Sequence, residues 1–152
     1  MSLATNSRRE FLKTGSLAML AAVLAPHMVM AEEADVKAAI EKLYAGKSMA
    51  SGKIKLDLPQ IAENGLVVPV GIEIESPMTD GDYVKAVHIF ADGNPLPGVI
   101  SYKFTPDCGK ASASARMRLA RTQNIVAVAE MSNGSLFTAK QEVKVTIGGC
   151  GG

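Results

Sequence analysis

Apolar residues recur along this chain at two different periods, and the change falls near residue 50. Val36, Ile40, Leu43 and Tyr44 stand at i, i+4, i+7 and i+8, one face of a helix. A helix is therefore expected over Glu32 to Tyr44. Glu32, Glu33 and Asp35 sit where the helix dipole favours acidic residues, and Gly46 is placed to end it. Beyond it the period becomes two. Lys53 to Leu58 and Val70 to Glu75 alternate cleanly, Val84 to Ala91 and Val99 to Phe104 follow, and Ala113, Ala115, Met117 and Leu119 alternate with Ser112, Ser114, Arg116 and Arg118. Ile125 to Met131 and Leu136 to Ile147 complete the set, joined at Asn133-Gly134 by a hairpin turn. Seven or eight regularly spaced strands with half-polar faces predict a mainly β fold. The expected architecture is an immunoglobulin-like antiparallel β-sandwich over about 53–147, preceded by one short N-terminal helix. The core Trp and disulfide pair of antibody domains are absent, so strand count and spacing carry this expectation.

The first 31 residues have a different character. Arg8-Arg9 stands just before an apolar run from Leu17 to Leu24, and Val29-Met30-Ala31 supplies small residues for a signal peptidase. This reads as a bacterial signal peptide of the twin-arginine type. The apolar run is well short of the ~20 residues a membrane span needs. Twin-arginine export carries folded cargo, which favours a partner acquired before export. Removing Arg8, Arg9, Lys13 and Glu10 from 16 basic and 15 acidic residues leaves 13 and 14, a net charge of −1. Such a balance creates no field for nucleic acid or for a membrane surface. The expected mature part, from residue 32, is one small domain with a single histidine, His88, and two cysteines, Cys108 and Cys150.

Gly148, Gly149, Gly151 and Gly152 flank Cys150 at the end of the sequence. Nothing in this stretch can pack, and glycine loses the most backbone entropy on ordering, so residues 148–152 are expected to form a thin flexible arm carrying a thiol. Frayed ends are common, and a terminal cysteine can equally be half of a disulfide. The thiol has no activating neighbour in the sequence: the carboxylate of Gly152, roughly 7 Å away, would repel a thiolate by about 0.6 kcal/mol in water. An activating base must come from whatever receives the arm. That makes Cys150 a passenger site, comparable to the group carriers lipoamide and biotin.

Catalysis by the chain itself has little support. A Cys–His pair would need His88 to reach Cys150, yet His88 lies within the apolar strand Val84 to Phe90. One histidine and two separated cysteines match no zinc or copper spacing, and no Gly-rich loop precedes a helix to hold phosphate. No metal or cofactor is expected. Two other readings of the terminus stay open. A carboxyl-terminal Gly-Gly can be adenylated and thiolated in ubiquitin-like sulfur carriers, although the export signal argues against that. Alternatively, a structural Cys108–Cys150 disulfide would tie down the tail of an exported β-sandwich binding module.

Three stretches carry a resemblance to a known family. They are Leu58 to Gly65 running on to Val68-Pro69-Val70 and Glu75 to Thr79, then Arg116 to Leu119 with Ala127 to Glu130, and the terminal Gly-Gly-Cys-Gly-Gly. With the twin-arginine signal they span essentially the whole chain, which resembles SoxY, the sulfur-substrate carrier family of the periplasmic thiosulfate-oxidising (Sox) system. The resemblance implies that Cys150 is the covalent attachment site, on an arm made of Gly148, Gly149, Gly151 and Gly152. It implies a c-haem enzyme that couples thiosulfate to the thiol, a manganese-dependent hydrolase that releases sulfate and, where present, a sulfane dehydrogenase. It also implies a non-catalytic carrier that works as a heterodimer with a SoxZ-like β-sandwich protein. Cys108 lies outside the family's pattern. A patch of exposed apolar side chains on one sheet is the expected mark of that partner, while Arg116, Arg118 and Arg121 read equally well as a solvated face.

Overall fold

The structure, a computed structural model, describes residues 31–148. The expected signal peptide, apart from Ala31, and residues 149–152 lie outside it. One helix and nine strands follow in order: α1 (Glu33–Tyr44), β1 (Met49–Ser51), β2 (Ile54–Asp57), β3 (Ile61–Ala62), β4 (Val68–Ile74), β5 (Val84–Ala91), β6 (Gly98–Lys103), β7 (Ala111–Met117), β8 (Gln123–Met131) and β9 (Leu136–Val145). A larger sheet runs β1-β9-β8-β5-β6, with β3 also on β9, and a smaller one runs β2-β4-β7. The expected sandwich is present.

Side-chain alternation builds it. On β4, Val68, Val70, Ile72 and Ile74 are buried, while Pro69, Gly71 and Glu73 face outward. They meet Val87, Ile89, Ala91, Ile125, Ala127, Ala129, Met131 and Val143 from the larger sheet in one continuous core. The small sheet therefore keeps a polar outer face, where Glu73 pairs with Lys110 at 2.9 Å.

The larger sheet is apolar on both faces, and α1 is the reason. Val36 and Tyr44 pack with Phe90, Val128 and Leu136 on the face turned away from the sandwich core. This explains why β5 reads as a nearly unbroken apolar run: its second face is roofed rather than solvated. Leu43 departs from the expected apolar stripe and is 51 % exposed, because Ala39 and Ile40 supply the remaining contacts. The helix also ends before Gly46. Ala45 already takes a left-handed conformation at φ 46°, its N–H donating to the Glu41 carbonyl at 2.7 Å, and Gly46 follows at φ 72°.

Two strands escaped the periodicity. β1 and β3 pair with β9 in parallel, Met49 opposite Leu136 and Ile61 opposite Lys144, so the larger sheet is not wholly antiparallel. Between them β2 crosses to the other sheet and pairs antiparallel with β4. Runs of two or three residues cannot display a period. The β8–β9 turn closes where expected: the Gly134 N–H donates to the Met131 carbonyl at 2.9 Å, with Gly134 at φ 81°. This is the hairpin form that ends on a left-handed glycine.

Candidate functional site

The described chain ends at Gly148, three residues past the end of β9. Past Val145, the Thr146 N–H donates to the Ala62 carbonyl at 3.1 Å and its hydroxyl to the Glu63 carbonyl at 2.8 Å. The Ile147 carbonyl accepts the Gly65 N–H at 2.8 Å, and the Gly65 carbonyl accepts the Leu119 N–H at 2.8 Å. Gly148 then lies against the carbonyl of Ala120. Ile147 is exposed, as are Leu66 and Val67, which follow Gly65 directly. Cys150, Gly149, Gly151 and Gly152 lie outside the described residues, so only the root of the expected arm is on view.

Strand register fixes which residues can meet the thiol. Cys150 is two residues beyond Gly148, so its Cα lies within ~7 Å of that glycine. Cys108 is far from this end. β4 and β7 are antiparallel, with Val68 opposite Met117 and Ile74 opposite Ala111. Gly65, Leu119 and Gly148 gather at the Val68–Met117 end. Cys108 lies in the turn Pro106–Cys108, before Ala111 and at the other end. The seven residues of β7 alone hold the two ends about 20 Å apart, whereas a disulfide needs Cα atoms within ~7 Å. Tether and bond together fall short, so a Cys108–Cys150 staple within one chain is incompatible with this fold. Cys108 is exposed, and its Sγ has Thr105 Oγ1 at 3.8 Å.

His88 is equally remote. It sits level with Val128 on β8, five residues from Gln123 and so roughly 17 Å up the strand from the arm's end. Its ring lies on the outer face of the larger sheet between Tyr44, at 6.0 Å and edge-on, and Phe90, at 6.4 Å. Nδ1 pairs with Ser101 Oγ at 2.8 Å. A Cys150–His88 pair is out of reach, and the histidine belongs to the packing beneath α1. Burial lowers its pKa from the ordinary 6.5; Lys103 acts the same way, and Glu130 acts against both. Burial also holds the Tyr44 phenol protonated, its pKa raised to about 12.

A pH effect follows from the sign. The unfolded chain binds the His88 proton more readily than the folded one, so the contribution of His88 to stability is complete above about pH 6.5 and is lost as the pH falls below it. The melting temperature should therefore decline from pH 7 towards 5, and His88→Gln should flatten that part of the profile. An unchanged slope in the variant would contradict this placement. Glu73, its pKa lowered by the hydrogen bond with Lys110, keeps its full contribution above its ordinary 4.5 and loses it only as the pH falls below that, so the pH 7 to 5 window stays clear.

Among the described residues no three of His, Cys, Asp and Glu gather as a metal site, and no helix is long and apolar enough to cross a membrane. The exposed large apolar residues Leu43, Met49, Ile61, Leu66, Val67, Leu96 and Ile147 are spread over loops, the helix and the β9 edge, not over one sheet face as expected. Arg116, Arg118 and Arg121 are exposed. Sequence reading missed Asn94 and Gln123, the buried polar residues of the described chain. Asn94 reads simply as a turn residue before Pro95, and nothing in a single sequence marks its side chain as buried.

A family model described as "Sulfur oxidation protein SoxY" matches residues 40–150, a span that includes Cys150. No curated protein matches the chain. Among solved structures, the sulfur carrier protein SoxY from Chlorobium limicola f thiosulfatophilum superposes with a TM-score of 0.63 at 34 % identity, covering 75 % of this chain and 98 % of that one. A superoxide reductase (neelaredoxin) from Ignicoccus hospitalis superposes with a TM-score of 0.58 at 14 % identity, covering 65 % of this chain and 99 % of its own. At that identity the likeness is one of fold alone. The matched span and the 34 % identical structure place this chain in the SoxY family of sulfur oxidation proteins.

Proposed function

We propose that the chain is a periplasmic, non-catalytic carrier that holds sulfur intermediates covalently on Cys150 during thiosulfate oxidation and presents them to separate enzymes. The observation that carries this reading is the family match running to residue 150 on a body whose other thiol, Cys108, is at the opposite end of the sandwich. The arm leaves at an end where the chain's single non-leader histidine cannot reach it, so the chemistry must come from the receiving enzyme.

The coupling step balances as follows. The Cys150 thiolate and the sulfane sulfur of thiosulfate form an S–S bond. Two electrons pass to a c-haem enzyme, and the thiol proton goes to solvent. Water then removes the sulfonate as sulfate in a hydrolase, leaving a persulfide on Cys150 for further oxidation. The carrier supplies a soft nucleophile and a tether. A SoxZ-like β-sandwich protein is the proposed stable partner, and export by the folded-protein route suits a preassembled pair.

Intact mass of the protein purified from thiosulfate-grown cells tests the reading. A fraction of molecules carrying sulfur adducts removable by reductant is expected. A single unmodified mass under active thiosulfate oxidation would overturn it.

A further inference from the structure

We infer that Gly148, Ala120 and Asn94 form a seat that fixes the direction in which the terminal residues leave the body, making Gly148 a positioning residue for Cys150. The inference rests on the carrier reading above.

Glycine at 148 is required by contact rather than by conformation. Its φ lies outside the left-handed range, yet a Cβ built there would overlap the carbonyl oxygen of Ala120. The obstacle is backbone, which cannot rotate away as a side chain would. Gly148 is thus held where the neighbouring segment would exclude any side chain.

That segment is itself braced. The Ala120 N–H donates to Asn94 Oδ1 at 3.0 Å, and Asn94 Nδ2 donates to the Arg118 carbonyl at 2.8 Å. Gln123 Nε2 donates to Asn94 Oδ1 and to the Arg121 carbonyl, both at 3.0 Å, while Gln123 Oε1 accepts the Gly93 N–H at 2.7 Å. Asn94 and Gln123 are 9 % and 4 % exposed. A buried network with its polar groups satisfied rigidifies what it holds. On the other side, Thr146 and Ile147 are bonded to Ala62, Glu63 and Gly65. Gly148 and the two residues before it are therefore held to the body. With only ~7 Å of tether to Cys150, the exit direction sets where the thiol can go.

The test uses full-length mature protein with Cys108→Ser, so that Cys150 is the single thiol. A nitroxide on Cys150 broadens nearby amide resonances, and Gly148→Ala should redistribute that broadening among Gly65, Leu66, Val67 and Leu119 to Thr122. With the unlabelled thiol, Gly148→Ala should lower kcat for thiosulfate coupling by ~10- to 10²-fold, the scale of an ångström's misplacement, at nearly unchanged KM for the carrier. Unchanged broadening, or redistributed broadening with unchanged kcat, would overturn the seat. Should Gly148→Ala fold poorly, hydrogen exchange in the unsubstituted protein decides. Strong protection of the Leu119 and Ala120 amides is expected, and exchange at free-peptide rates would refute the brace. If unsubstituted Cys150 accepts no sulfur at all, the carrier reading fails, and the nitroxide and exchange results still judge the seat.

Discussion

Cys150→Ser is expected to reduce thiosulfate-dependent turnover in a reconstituted system to the level seen without carrier. Serine's hydroxyl stays protonated far above the pH at which a thiol with a pKa near ~8.5 gives thiolate, so the nucleophile that makes the S–S bond is lost. The folded body should not notice. Among the described residues, the hydrogen bonds that tie the segment after β9 to the body run to Ile147, three residues before Cys150. Melting temperature and partner binding should therefore match the parent protein. Cys108→Ser should leave turnover intact, because Cys108 lies beyond Cys150's reach. Each competing reading of the terminus predicts otherwise. A disulfide staple would have both substitutions lower the melting temperature alike. An adenylated Gly-Gly tail would tolerate Cys150→Ser and fail on deletion of Gly151-Gly152. Turnover that survives Cys150→Ser would remove the basis of the carrier assignment.

The second large effect is on stability. Ile125 is fully buried on β8, opposite Ala91 of β5 and Gln141 of β9, where both sheets contribute to the core. Ile125→Ala removes its transfer free energy and leaves a cavity among strands that cannot close it, at a cost of about 2–5 kcal/mol. Against a total of about 5–15 kcal/mol for a typical domain, that is a large fraction. Leu43→Ala, at a position 51 % exposed on the helix, should stay within about 0.5 kcal/mol. Urea unfolding of the two variants checks both statements. Equal losses would mean that Leu43 is held in the core and that the orientation of α1 is wrong.

Much of the body was legible because its strands are long enough to show a period. β5 and β8 fall almost on the expected bounds, and β4 and β7 alternate as read. β1 and β3 were not legible: each is defined by its pairing with β9, a long-range partner that leaves no trace in two or three residues. Placement of α1 was half legible. Its periodicity gives a face, but burial of Tyr44 and exposure of Leu43 depend on where Phe90 and Val128 present their apolar surface. Cys150 stands out in the sequence through the four glycines around it. The proposed seat at Gly148 does not, because Asn94 lies between β5 and β6 while Ala120 and Gln123 lie between β7 and the start of β8, and they meet only in the fold. The remoteness of Cys108 was also invisible, since spacing in sequence says nothing about which end of a sandwich a turn occupies.

The most direct test of the carrier assignment is peptide mapping after incubation of the reduced protein with thiosulfate, its SoxZ-like partner and the c-haem coupling enzyme. Trypsin cleaves after Lys144 and releases residues 145–152, while Cys108 is carried on the peptide from Phe104 to Lys110. A reductant-labile sulfur adduct on the 145–152 peptide is expected, with the Cys108 peptide unmodified. Cys150 found always unmodified, or always bonded to Cys108, would contradict the carrier assignment.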